Sequence, residues 1–248
     1  MKRMNRFFVS PANVKEKSII IDSKEDLKHL SKVLRLKPGD EIEVSDGAEW
    51  EYRAVLTEIS PEKAVADITD KQAFAREPDL AVTLFQGIPK QTKMDGIVQK
   101  SVELGVKKIV PVFMERTVAV DRGKTDKKVQ RWQKIASESV KQCKRGMIPE
   151  VAEPADMKRA VSSLADFDLV VFPYENERDK TIKDMLRELD KKPETAAVII
   201  GPEGGFSDKE AEMIKETGAE AVSLGKTVLR TETAGPAAIA MIMYELEL

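Results

Sequence analysis

The spacing of polar and apolar positions changes at about residue 73. Before it, Glu41-Ile42-Glu43-Val44-Ser45 alternates, Asp46-Gly47 is a hairpin signal, and Trp50, Tyr52, Ala54 and Leu56 mark one face of a returning strand. One helix interrupts this pattern. Ser23 is its N-cap, Glu25 and Asp26 sit in its first turn, and Leu27, Leu30, Val33 and Leu34 are expected on one face, with a stop before Pro38-Gly39. Residues 1–72 therefore predict a small five- or six-strand barrel with one helix. The stretch Lys71 to Pro78 has no clear period and ends in proline, which places a linker there. Beyond it, over 73–248, apolar strands near 80–85, 108–113, 169–172, 196–200 and 221–224 alternate with helical patterns near 93–104, 126–144, 179–189 and 207–217, and a last helix is expected from about Pro236. That alternation predicts an α/β domain with a parallel sheet covered on both faces.

Two of these strands end in glycine-bearing turns, Ile200-Gly201-Pro202-Glu203-Gly204-Gly205-Phe206-Ser207 and Leu224-Gly225-Lys226-Thr227-Val228-Leu229-Arg230-Thr231-Glu232-Thr233-Ala234. Strand ends of an α/β sheet are where such proteins present backbone groups to ligands. Neither turn is a phosphate-binding loop: six residues separate Gly218 from Gly225 where that loop needs four, and they read as a strand. The first strand of the sheet ends in Gln86-Gly87-Ile88-Pro89, without the G-x-G-x-x-G of dinucleotide sites. A cofactor with a flat, uncharged recognised part such as an adenosine fits better, held by backbone N–H and C=O groups near Gly201, Gly204, Gly205 and Gly225. The competing reading is structural: Gly204-Gly205 turns the chain before a helix capped by Ser207, with Asp208 and Glu210 in its first turn.

Composition narrows the chemistry. With 42% hydrophobic residues in 248 the chain can bury a core, and no run is long enough for a membrane span or reads as a secretory signal. A single cysteine, Cys143, and a single histidine, His29, exclude an intrachain disulfide and a His/Cys metal site, and predict a reducing, cytoplasmic setting. The net charge is −2, yet residues 90–145 carry 15 Lys and Arg against 6 Asp and Glu. This concentration suits an anionic polymer, or else two helices whose lysines face water.

The Gly-Pro-Glu-Gly-Gly-Phe-Ser turn, the later Leu224-Gly225, Val228-Leu229-Arg230-Thr231-Glu232-Thr233-Ala234 and the small-residue helix after it resemble the signature of the knotted SPOUT class of S-adenosylmethionine-dependent RNA methyltransferases, and within it the RsmE family. Arg6-Phe7-Phe8, His29 through Val33-Leu34-Arg35, Gly39-Asp40, Gln99 to Val106, and Glu138 through Gln142 to Arg145 before Ile148-Pro149 agree, so the resemblance spans nearly the whole chain. Cys143-Lys144 departs from it, standing where the family more often has smaller residues. The resemblance implies a PUA-like RNA-binding β-barrel over 1–72, a knotted α/β methyltransferase domain over 73–248, a homodimer, and methylation of N3 of a uridine in 16S rRNA of the small ribosomal subunit. Met241, Ile242, Tyr244 and Leu246 of the last helix are candidates for the dimer contact or for the core.

The resemblance also implies a cofactor site for S-adenosylmethionine built from Pro173, Tyr174, Ile200, Gly201, Pro202, Glu203, Gly204, Gly205, Leu224, Gly225, Leu229, Thr231, Thr233 and Ala234. Methyl transfer to a uracil nitrogen needs in-line approach and stabilisation of charge on the uracil oxygens, and no metal. Arg230 is the candidate for that charge, with Glu232 either orienting it or accepting a proton; the alternative is an ion pair and cap that only fix the loop. Expected RNA contacts are Arg6, His29, Arg35, Lys93, Lys100, Arg116, Gln142 and Arg145, against solvated surface for individual lysines. A ribose 2′-O methyltransferase of the same fold and a non-catalytic RNA-binding assembly factor are the competing functions.

Overall fold

A computed structural model describes residues 4–74, 77–117 and 125–248. Ala75 and Arg76 of the expected linker, and Arg122 and Lys124 of the basic stretch, lie outside the described residues. The chain divides into two compact units. One runs to Glu77 and takes in Val140–Ile148; the other comprises Pro78–Ser139 and Pro149–Leu248.

In the first unit, β1 (Asn5–Phe8), β2 (Ser18–Ile21), β3 (Glu41–Ser45), β4 (Trp50–Ile59) and β5 (Ala64–Ala73) form one sheet in the order β1-β3-β4-β5-β2. β1 pairs parallel to β3 and the other neighbours are antiparallel. The expected hairpin forms because Asp46 Oδ1 accepts the N–H groups of Ala48, Glu49 and Trp50, each at 2.9 Å, while Gly47 takes φ +69°. Phe7, Ile19, Ile21, Ile42, Val44 and Leu56 fill the core, together with Leu27 and Leu30 of α1 (Lys24–Lys28) and the turn after it.

Ser23 caps α1 as expected, but Val33 is not in the core. From His29 to Val33 the helix continues as a π-helical turn, with the Leu34 N–H bonded to the His29 carbonyl at 2.9 Å. The extra residue in that turn rotates Val33 outward, leaving it 63% exposed.

Arg6 and Arg145, expected to face RNA, are interior residues of this unit. Arg6 Nη1 donates to Glu51 at 2.8 Å and to the carbonyls of Lys144 and Arg145 at 3.0 and 2.8 Å, and Nη2 reaches Glu43 at 3.4 Å. Glu77 accepts from Arg145 Nη2 at 2.7 Å and from the N–H groups of Gly146 and Met147 at 2.8 and 3.0 Å. Both guanidinium groups are thus engaged in holding residues 140–148 in place. Lys144 stands at φ +63°, a left-handed conformation that costs a side-chain-bearing residue free energy.

The second unit is built on seven parallel strands in the order β12-β10-β11-β6-β7-β8, with β9 also pairing β7. In chain order they are β6 (Ala81–Gly87), β7 (Lys108–Phe113), β8 (Glu150–Val151), β9 (Ala155–Asp156), β10 (Leu169–Pro173), β11 (Thr195–Ile200) and β12 (Glu220–Val222). The central strands β6 and β11 are buried almost throughout, which is why they read as unbroken apolar runs. Their helices are α2 (Lys93–Glu103), α3 (Thr125–Cys143, its last turn in the other unit), α4 (Met157–Ser163), α5 (Ile182–Arg187), α6 (Asp208–Lys215) and α7 (Thr231–Glu247). The short β8, β9 and α4 had no counterpart in the sequence pattern. Ser207 and Glu210 cap α6 reciprocally, the Ser207 hydroxyl accepting the Glu210 N–H and the Glu210 carboxylate accepting the Ser207 N–H. Ser207→Ala is expected to lower stability by about 1 kcal/mol, read as a fall in the urea midpoint at unchanged m-value.

The last helix starts at Thr231, five residues before the expected Pro236. Proline favours a first helical turn, but here the Thr231 hydroxyl sets the start by bonding inward to the sheet. After β12 at the sheet's edge, the chain returns to pack α7 against β11 and β6 at its centre, the crossing that a carboxy-terminal knot requires. Ile242 is wholly buried in that packing, whereas Tyr244 is 71% exposed. Among the described residues no helix is long and apolar enough to cross a membrane.

Candidate functional site

The carboxyl ends of β10, β11 and β12 open onto a cavity of about 910 Å3. Small-molecule sites span roughly 300–1,000 Å3, so this one is large enough for a nucleoside-sized ligand. Three crossovers line it: Pro173 to Arg178 after β10, Ile200 to Phe206 after β11, and Val222 to Ala234 after β12.

Glycine is required where these crossovers meet. A Cβ on Gly87 would lie 2.6 Å from Pro202 N and 2.9 Å from the Gly201 carbonyl carbon, so the end of β6 and the β11 turn touch through backbone alone. Gly205 takes φ +67°, and its bare Cα faces the Glu175 carboxylate. Gly204 is closed off by Arg116, whose Nη1 donates to the Gly204 carbonyl at 2.9 Å. Below the turn, Phe172 stacks on Tyr174 at 5.2 Å and meets Phe206 edge-on at 5.1 Å, giving the floor an aromatic base.

Thr231 joins the first strand, the β11 turn and α7. Its hydroxyl donates to the Gly201 carbonyl at 2.6 Å and accepts from Gln86 Nε2 at 2.9 Å, all within the interior. The next residue is fixed as well: Lys93 Nζ lies 3.3 Å from Glu232 Oε2 and 3.1 Å from Glu203 Oε1. Its hydrogen bond to Glu203 is the main cause of a raised Lys93 pKa. For Glu203, burial works upward but is outweighed by its own N–H, Lys93 and the Lys90 N–H, so the pKa falls. Glu232 is also lowered, first by its own backbone N–H and then by Lys93. All three groups are therefore charged at neutral pH. The support from the carboxylates is lost as pH falls through their depressed folded values, and that from Lys93 as pH rises through its raised one.

Of the residues expected at the cofactor, Pro173, Tyr174, Ile200, Gly201, Pro202, Glu203, Gly205, Leu224, Gly225, Leu229, Thr231 and Ala234 line the cavity, as do Arg230 and Glu232. Gly204 and Thr233 do not: Gly204 faces Arg116, and Thr233 is exposed on the first turn of α7. The expected RNA contacts are spread out. His29, Arg35 and Gln142 are exposed on the first unit, Arg116 and Lys100 on the second, and Lys100 is ion-paired with Glu103 at 2.8 Å. Lys93 sits at the cavity itself.

Sequence reasoning missed Gln86 and Arg178 as individual site residues, whereas Lys226 falls inside the turn it placed at the ligand. Gln86 carries a signal, a polar amide next to the end of a mostly apolar strand, which the structure buries fully; Arg178 lies in a loop without a period. Among the described residues no group of three or more His, Cys, Asp or Glu is placed to hold a metal ion.

The family described as an RNA methyltransferase domain matches residues 76–243, and that described as an RNA methyltransferase PUA domain matches residues 21–69. The ribosomal RNA small subunit methyltransferase E of Bacillus subtilis is 30% identical over 251 residues, covering 99% of this chain and 98% of its own. The crystal structure of a ribosomal RNA small subunit methyltransferase E from Neisseria gonorrhoeae bound to S-adenosyl methionine superposes with TM-score 0.85 at 31% identity, over 98% of both chains. A putative methyltransferase from Legionella pneumophila, in complex with the same bound cofactor, gives 0.84 at 32% identity over 98% of both chains. With both of its parts matched in order and relatives of this identity aligned end to end, the chain belongs to the ribosomal RNA small subunit methyltransferase E family.

Proposed function

We propose that the protein transfers a methyl group from S-adenosylmethionine to N3 of a uridine in 16S rRNA of the small ribosomal subunit. The observation that carries this reading is the cavity at the ends of β10, β11 and β12. It is lined by backbone-rich turns that fit a neutral adenosine, and 12 of the 14 residues expected at the cofactor are on its walls. When bound, the cofactor supplies an electrophilic methyl on a sulfonium. Gly201, Gly205, Leu224 and Leu229 would hold the nucleoside with backbone groups and apolar contact.

Arg230 is the residue for the uracil oxygens. It lines the cavity, is exposed to it, and has no ion pair among the described residues. Glu232, with its pKa depressed and Lys93 beside it, is a poor proton acceptor, which favours an orienting role over that of a base. RNA approaches the open side, where Arg178 and Lys226 accompany Arg230 on the wall and Val228 is 76% exposed. A homodimer agrees with the stripe of α7 that its own unit leaves uncovered, Tyr244 with the half-buried Ala237 and Met241. The setting proposed is the cytoplasm, where ribosomal subunits are the substrate.

Incubation with labelled S-adenosylmethionine and small subunits from a strain lacking the modification is expected to label 16S rRNA. Nuclease digestion and mass spectrometry should place the methyl on a uracil base. A ribose methyl would turn the assignment to 2′-O transfer, and intact protein that binds no cofactor would turn it to an assembly factor.

A further inference from the structure

Lys93 belongs to the basic stretch that the sequence marks for RNA, yet its ammonium is turned to two carboxylates from other crossovers. Glu203 lies in the β11 turn at 3.1 Å and Glu232 in the first turn of α7 at 3.3 Å. Glu203 also accepts the Lys90 N–H at 3.1 and 3.2 Å, so the loop before α2 is tied in twice. A lysine as the first residue of a helix opposes the helix dipole, and the two carboxylates are what hold it there. The three side chains are only 24 to 33% exposed.

Arg230 is the residue just before α7, so its position is set by the first turn of that helix. Thr231 is hydrogen-bonded to Gly201 and Gln86, and Glu232 is ion-paired with Lys93. We infer that Lys93 is a positioning residue for methyl transfer: by gripping Glu203 and Glu232 it fixes the separation of the two cavity turns and the direction of Arg230, and it makes no contact with RNA phosphate. This rests on the methyl-transfer reading of the site.

The test compares wild type, Lys93→Met, Lys93→Arg, Glu232→Gln and the Lys93→Met/Glu232→Gln double variant on small subunits lacking the modification. It records kcat, RNA affinity against salt, and thermal unfolding. Lys93→Met is expected to lower kcat about 10- to 100-fold, with RNA affinity and its salt slope unchanged. Lys93→Arg should recover kcat to within about threefold, because it restores the grip. The double variant should lose no more than about threefold beyond the worse single variant, since both substitutions break one link.

An unchanged kcat in Lys93→Met with weaker RNA binding and a salt slope reduced by about 1 would identify a phosphate contact and overturn the inference. Should Lys93→Met fail to fold, Lys93→Arg and Glu232→Gln decide the matter. Loss of RNA affinity without loss of kcat in Glu232→Gln, or no activity in a folded Lys93→Arg, overturns it. Wild-type protein that binds the cofactor but labels no RNA counts against the parent reading instead.

Discussion

Arg230→Gln is expected to lower kcat for methyl transfer by about 100- to 1,000-fold, with cofactor affinity within about twofold of wild type. The guanidinium stands on the cavity wall without an ion pair among the described residues, so its charge is available to the oxygens of a bound base. Its support is rigid, because the next two residues are tied to the sheet and to Lys93. At the N-cap position of α7, with no side-chain cap bond, a cation works against the helix dipole by about 0.3–1 kcal/mol. The substitution should therefore leave the unfolding temperature equal or slightly raised, which is the mark of a residue kept for function at some expense to stability. Single-turnover kinetics with saturating cofactor and thermal unfolding of the same preparation check both halves. A kcat within fivefold of wild type would remove Arg230 from the reaction.

A second large effect is expected at a residue that touches no ligand. Gly87→Ala would place a methyl 2.6 Å from Pro202 N and 2.7 Å from Pro202 Cδ, both part of a stiff turn rather than the tip of a mobile side chain. Overpacking of this kind costs about 1–3 kcal/mol, and the relief available is displacement of the β11 turn into the cavity. Cofactor affinity should fall by about 5- to 150-fold if that cost is relieved into the cavity. Gly205→Ala is the contrast. Its methyl meets the end of the Glu175 side chain at 3.0 Å, which can swing aside, and only the φ of +67° remains as strain. Calorimetric titration of both variants should rank the loss at Gly87 well above that at Gly205. Equal affinities would mean that the turn yields, and that the cavity is not shaped by backbone contact.

The order of these effects shows which features were legible along the chain. The two turns stood out because each comes after an apolar run short enough to be a strand and precedes a helix. The cap at Ser207 was visible in the same way, as a local pattern with local partners. Arg6 was misread for the opposite reason. Its acceptors include the carbonyls of Lys144 and Arg145, 138 and 139 residues away, and nothing near Arg6 announces that its charge is consumed there. The same holds for Lys93, whose partners lie on two later crossovers, and for Thr231, whose hydroxyl overrides the helix start that Pro236 suggests. Val33 failed through geometry rather than distance, since one extra residue in a helical turn is enough to move a side chain from core to solvent. The existence of the longer strands and helices and the site's glycines are local properties; the order of the strands in the sheet and the fate of each charge are not.

The placement of residues 140–148 with the first unit has a consequence for synthesis. Glu77, Arg6 and Ser45 all bond to that later segment, so a nascent chain with only its first 77 residues exposed lacks part of the hydrogen bonding of these three polar side chains. The amino-terminal unit can be completed only after about 70 further residues have left the exit tunnel, by which time β6, α2 and β7 are already available to fold.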